Sequence, residues 1–198
     1  MRGLFSFIVE PNGDRYNNSV KVGDKSLILN TEIFNHQYIN REAVVLETPK
    51  VGNSKISKGD KLLIHHNVFR RWHNVKGVEK NSRSFMSEGR YLINDDQIFL
   101  HKSGNTTNWT AMDGFCFVQP IKSTKYLDVD TEEPLLGIVK YTDGTFKEGE
   151  LVGFSPGDEF EFVVEGKRMY RVMTRFINTK YDYKGNEEEY NPSWAHSC

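Results

Sequence analysis

The chain has 198 residues and a formal charge of -1, with 26 Lys and Arg against 27 Asp and Glu interspersed along it. That length allows one large domain or two small ones, each with a core of its own. The mixed charge excludes the broad basic face of a dedicated nucleic-acid binder or of a protein that lies on an anionic membrane. Two cysteines, Cys116 inside an apolar run and Cys198 at the last position, cannot build a disulfide framework, so a reducing, cytoplasmic compartment is expected.

Residues 3–9 are apolar, but Glu10-Pro11-Asn12-Gly13 halts them short of a signal core or a spanning helix. They predict a first β-strand that ends in a turn. Three Asn-x-Ser/Thr triplets, at Asn17, Asn105 and Asn108, read as chance matches. Apolar runs rich in Val, Ile, Phe and Tyr then recur about every eight to twelve residues between Gly, Asn, Asp and Pro, the rhythm of a sandwich or barrel. Residues 25–33 and 41–47 are predicted strands, the second with the β-branched content strands favour. Ser57-Lys58-Gly59-Asp60 is a turn that launches a strand over 61–66. Residues 70–83, with Arg71, Trp72, His73, Lys76, Lys80 and Arg83, break the pattern as an inserted basic loop.

Residues 103–110 are a polar linker, after which the pattern restarts. Residues 114–121 are expected to repeat the strand at Leu27, 137–141 the strand at Ala43, and 149–157 the strand after Gly59-Asp60. A long loop is expected over 122–135. Glu88-Gly89 and Glu165-Gly166 each open onto an apolar strand whose tyrosine, Tyr91 or Tyr170, precedes an isoleucine, Ile98 or Ile177, by seven positions. That shared spacing argues for an internal repeat. The expected organisation is a first unit over 1–102, the linker over 103–110, a second unit over 111–183, and an extended or partly disordered polar tail over 184–198.

Local motifs for chemistry are sparse. His65, His66, His73 and His101 are the only histidine cluster. Adjacent strand residues face opposite sides, so His65 and His66 do not suit one metal ion. Asn94-Asp95-Asp96 lacks the glycine and distal glutamate of a calcium loop. There is no Gly-x-Ser-x-Gly elbow, phosphate loop or His-Glu-x-x-His. The chain is therefore expected to be no enzyme and to need no cofactor or metal. The aromatics Trp72, Trp109, Phe115, Phe117, Phe154, Phe160, Phe162, Tyr170 and Phe176 read mostly as core, and Trp194 in the polar tail as a docking anchor.

The order of features in each half resembles the GroES-type co-chaperonins, small irregular β-barrels that cap a chaperonin ring. The first half carries the resemblance in Arg41-Glu42-Ala43-Val44, Gly59-Asp60 and Asp96-Gln97-Ile98. The second carries it in Leu136-Gly137-Ile138-Val139, Gly149-Glu150, Glu165-Gly166-Lys167 and Phe176-Ile177. The resemblance implies an all-β fold of two tandem GroES-like barrels, a homo-oligomer, and a chaperonin as partner, with neither nucleic acid nor membrane. It also implies a mobile loop that presents an apolar bait. In the first half that loop is expected to be short, over 34–40. In the second half Tyr126, Leu127 and Val129 are the expected bait. Phage-encoded caps belong to the same family, and the richness in Asn, Lys and Tyr fits such a source. A virion or other interaction module that keeps the barrel without capping is the alternative reading.

Overall fold

The computed structural model describes residues 2–17, 19–28, 38–52, 55–104, 106, 108–124, 131–182, 185 and 187–197. Among them the chain is all-β. The helical turns are short 3-10 segments at His66–Val68, Asp95–Gln97, Thr174–Phe176 and Ser193–Ser197. The chain divides into two compact units, Met1–Trp109 and Thr110–Cys198.

The first unit contains β1 (Phe7–Pro11), β2 (Ser19–Val22), β3 (Lys25–Ile28), β4 (Glu42–Glu47), β5 (Lys61–Ile64), β6 (Arg71–His73), β7 (Glu79–Asn81), β8 (Phe85–Ser87), β9 (Arg90–Ile93) and β10 (Ile98–Lys102). Its main sheet, seven-stranded in all, includes the order β8-β9-β1-β4-β5-β10, while β2 with β3 and β6 with β7 form separate ribbons. The second unit contains β11 (Thr110–Ala111), β12 (Phe115–Lys122), β13 (Glu132–Thr142), β14 (Leu151–Phe154), β15 (Phe160–Val164), β16 (Lys167–Met173) and β17 (Ile177–Tyr181). Its sheet runs β15-β16-β12-β13-β14-β17. Read strand for strand, the two orders are the same.

The correspondence extends to register. Val9 faces Tyr91 on one side and Val45 on the other, and Val118 faces Tyr170 and Val139 in the same way. Pro11 opposite Ala43 matches Pro120 opposite Gly137. Both first strands slip register at the preceding step, between Ile8 and Val9 and between Phe117 and Val118. Such bulges bend a strand and raise its twist. The turns before β5 and β14 also match. The Gly59 N–H donates to the Val45 carbonyl at 2.8 Å and the Gly149 N–H to the Val139 carbonyl at 2.8 Å. Gly59 has φ +89° and Gly149 φ +85°, a region that glycine enters without a Cβ penalty.

Tyr91 and Tyr170 thus hold one structural position, and each is followed by a 3-10 turn and an isoleucine that opens the next strand. The 3-10 turn forms because the Ile98 N–H reaches the Asp95 carbonyl and the Ile177 N–H the Thr174 carbonyl. In the second unit, Cys116, Val118, Val139, Val152, Phe154 and Val172 make one apolar cluster. Alternation of inward side chains along β12, β13 and β16 builds it. Phe7, Val9, Val45, Leu62, Ile64 and Ile93 are among the buried apolar residues of the corresponding strands in the first unit.

Several expectations need correction. Residues 114–121 correspond to β1, not to the strand at Leu27, because β12 and β1 share pairing partners and a bulge. Leu27 lies in β3, which among the described residues pairs only with β2, in a ribbon of its own. The strand expected over 61–66 ends at Ile64, where His66–Val68 turns into a 3-10 segment. The loop expected over 122–135 is shorter, since β12 extends to Lys122 and β13 starts at Glu132. The basic insert is a hairpin, β6 with β7. Neither six-strand order closes into a barrel: among the described residues no pairing joins β8 to β10 or β15 to β17.

Candidate interaction site

The two units differ in what joins their matched strands. Between β1 and β4 lie residues 12–41, which include the β2–β3 hairpin and the exposed Leu27. Between β12 and β13 lie only residues 123–131. The base of this second loop is closed by the Ser123 N–H, which donates to the Thr131 carbonyl at 2.8 Å, and by the Ser123 hydroxyl, which donates to Glu133 Oε2 at 3.0 Å. Its first-loop counterpart is tied differently. Asn17 N–H donates to the Tyr38 carbonyl at 2.7 Å and Asn40 N–H to the Arg15 carbonyl at 3.1 Å, with buried Asn40 donating its side-chain amide to the carbonyls of Asn12 and Asp14. The expected bait, Tyr126, Leu127 and Val129, lies outside the described residues, as do residues 34–37 of the expected first-half loop.

Glu132, where the second loop enters β13, is gripped by an ionic cluster. Arg168 contacts Glu132 and the Tyr170 hydroxyl, and its Nε donates to Glu161 Oε2 at 2.6 Å. The Tyr170 hydroxyl donates to Glu132 Oε1 at 2.6 Å. Burial and then the Glu132 hydrogen bond push the Tyr170 phenol above its ordinary pKa. Burial works against the charge on Arg168, but Glu161 and Glu132 outweigh it and hold the guanidinium protonated. A guanidinium that bonds two carboxylates and a phenol at once, through charge-assisted hydrogen bonds, fixes orientation as well as charge. Here it anchors one stem of the loop to β16.

The tail, expected to be extended or partly disordered, is anchored over its described residues 187–197. The Lys122 N–H donates to the Glu188 carbonyl at 2.8 Å and the Tyr190 N–H to the Pro120 carbonyl at 2.8 Å, making an antiparallel bridge of Ile121 with Glu189. Asn191 accepts from the Arg168 N–H at 2.9 Å and donates to the Gly166 carbonyl at 3.0 Å. Glu189 pairs with Lys140 and, at 3.5 Å, with Lys167. Ala195 is fully buried, while Trp194 beside it remains about half exposed, 48%. No local signature in a polar tail announces this docking, because its hydrogen bonds are to backbone groups far away in sequence.

The His65 and His66 rings stack at 4.4 Å because β5 ends before them, and His65 Nδ1 accepts from the Asn67 N–H at 3.1 Å. No group of three His, Cys, Asp or Glu side chains among the described residues is placed to hold a metal ion. Asn94 opens the 3-10 turn before β10: its N–H donates to Gln97 Oε1 at 3.1 Å and its side chain accepts from the Ser6 hydroxyl at 2.8 Å. Cys116 is buried, and burial followed by the nearby Asp143 pushes its thiol up to about 12, so it stays neutral and a poor nucleophile at neutral pH. Among the described residues no helix is long and apolar enough to cross a membrane. No protein-family model, curated protein or solved structure matches the chain.

Proposed function

We propose that the chain is a non-enzymatic, co-chaperonin-like protein that assembles with copies of itself and binds a chaperonin ring, with its two units as tandem GroES-like modules. The observation that carries this reading is the repeated strand order with its matched bulges and its repeated Gly turn before the third strand. In each unit a loop leaves the sheet between the first two matched strands, residues 12–41 in the first and 123–131 in the second, where the resemblance puts a partner-binding loop. Loops hung on a rigid sheet are where binding residues concentrate. On this reading Tyr126, Leu127 and Val129 contact the chaperonin from the second unit, and the β2–β3 hairpin with exposed Leu27 does so from the first. The compartment would be the cytoplasm, that of a host if the source is a phage.

Co-sedimentation with a bacterial chaperonin ring tests it, together with the ring's ATPase rate and the solution mass of the chain. Expected are a closed oligomer, co-sedimentation in the presence of nucleotide, and loss of binding in Leu127→Asp with Val129→Asp. A monomer that leaves the ring's ATPase unchanged refutes the reading. One observation favours the alternative of an interaction or virion module for the second unit: its loop spans only residues 123–131, with both stems tied by Ser123 and Glu132. Recovery of the protein in purified particles, without effect on a chaperonin, is the result that alternative requires.

A further inference from the structure

The β6–β7 hairpin has no counterpart in the second unit, where only residues 155–159 join β14 to β15. The second unit thus forms the matched strand order without such a hairpin. Trp72, Val75 and Val78 are three exposed large apolar residues on this one short hairpin, and Val75 at its tip is fully exposed. Arg70, Arg71, Lys76, Lys80 and Arg83 lie in the same segment with a single carboxylate, Glu79, which pairs with Arg71 at 3.3 Å on the face away from Trp72. Lys80 stands directly opposite Trp72, on the same face of the ribbon.

The hairpin is held rigidly. Arg15 donates from Nε to the Phe69 carbonyl at 2.5 Å, from Nη2 to the Arg70 carbonyl at 3.2 Å and from Nη1 to Asn81 Oδ1 at 2.7 Å. The Tyr16 hydroxyl accepts from the Arg71 N–H at 2.8 Å, and the Arg71 guanidinium lies 4.8 Å above the Tyr16 ring. At the tip, Asn74 Oδ1 accepts from the N–H groups of Lys76 and Val78, each at 3.0 Å, and Gly77 takes a positive φ of 74°. Apolar side chains on a pre-formed turn lose little conformational entropy when they dock.

We infer that the β6–β7 hairpin is a docking element for a protein surface that carries an apolar pocket ringed by Asp and Glu. Charge complementarity chooses the occupant: five cations against one carboxylate in this segment of a chain whose overall charge is -1. Trp and Arg are the side chains that dominate protein interfaces. A single strand of nucleic acid is the poorer match, since it needs successive aromatic platforms and the tip offers valines. A lipid surface is also poorer, because Trp72 and two valines bury less apolar area than the amphipathic helices that lie in membranes. The inference does not depend on the chaperonin reading, as it concerns a segment the second unit lacks.

The test is fluorescence anisotropy of the full chain with a labelled amphipathic peptide of Glu and Leu. A Lys and Leu peptide of equal length, oligothymidylate and phosphatidylserine vesicles are run in parallel. Binding of the Glu and Leu peptide alone is expected, weakening as salt rises. It should weaken at least about tenfold in Lys76→Glu with Lys80→Glu and in Trp72→Ala. Val75→Asp, at a tip that packs on nothing, should do the same and guards against a folding defect at Trp72. Val51→Asp, exposed elsewhere in the first unit, should leave binding unchanged. No binding of the acidic peptide, equal loss in the Val51 variant, or tighter binding of oligothymidylate or vesicles overturns the inference.

Discussion

Tyr91 and Tyr170 stand at one position of one sheet order, yet the two units use it differently. Tyr91 is buried, edge-on to Phe69 at 4.7 Å and to Phe85 at 5.7 Å, so it extends a core. Tyr170 sends its hydroxyl to Glu132 and ties a loop stem. At the next residue the contrast reverses. Leu92 is exposed, whereas Arg171 is buried with its guanidinium 5.0 Å from the Phe115 ring and 4.4 Å from the Phe160 ring. The backbone plan tolerates this exchange because strand pairing is satisfied by main-chain groups, while side chains answer to what each unit adds around the sheet. The first unit adds a long loop and a basic hairpin; the second adds a docked tail.

The sharpest way to break the equivalence is at Ala43 and Gly137. A Cβ built on Gly137 would meet the Gln119 carbonyl oxygen at 2.7 Å, although the matched position in the first unit carries a methyl group. Gly137→Ala should destabilise the second unit by about 1–3 kcal/mol, and Ala43→Gly should cost the first about 0.5–1 kcal/mol. Hydrogen exchange resolved by segment checks both, and equal, small losses would show that the two strands approach their neighbours alike. Gly59→Ala and Gly149→Ala are the complementary test. Both positions have positive φ with open space around them, so each should lose roughly 1–2 kcal/mol, and the two losses should match.

A smaller effect is expected at the tail. Asn191→Ala removes the partners of the Arg168 N–H and the Gly166 carbonyl, at about 0.5–1.5 kcal/mol, with faster exchange confined to β16 and residues 187–195. The first unit should be untouched. The smallest effect is one of pH. Burial raises the Glu189 carboxyl, but the bond to Lys140 and the charges of Lys140 and Lys167 hold it below the ordinary glutamate range. Its folded pKa is the lower one, so its contribution is complete above that range and disappears as pH falls through it. Exposed pairs of this kind contribute about 0–1 kcal/mol. Exchange of residues 187–195 should therefore speed up modestly below pH ~4, where glutamate protonates, and Glu189→Gln should remove that dependence.

The repeat was legible in the Tyr-to-Ile spacing because a 3-10 turn and a strand start require the same number of residues in both units. The turns Gly59-Asp60 and Gly149-Glu150 were legible for the same reason. The correspondence of Phe7-Ile8-Val9-Glu10-Pro11 to Cys116-Phe117-Val118-Gln119-Pro120 was missed, although Val and Pro recur in both. The loops that follow these strands differ so much in length that simple offset comparison misaligns them. The clamp of Arg168 on Glu132 and the seat of Asn191 were not legible at all. Both join residues distant in sequence, and neither side chain stands in a local motif.

The paired bulges, at Ile8 and Val9 and at Phe117 and Val118, carry a consequence for recombining the halves. An irregularity shared by two neighbouring strands acts as a key and its lock: sliding either strand by one residue would misplace the kink as well as invert every side chain. A chimera that moves β12 into the first unit must bring β13 with it, or lose the alignment that lets both faces fill.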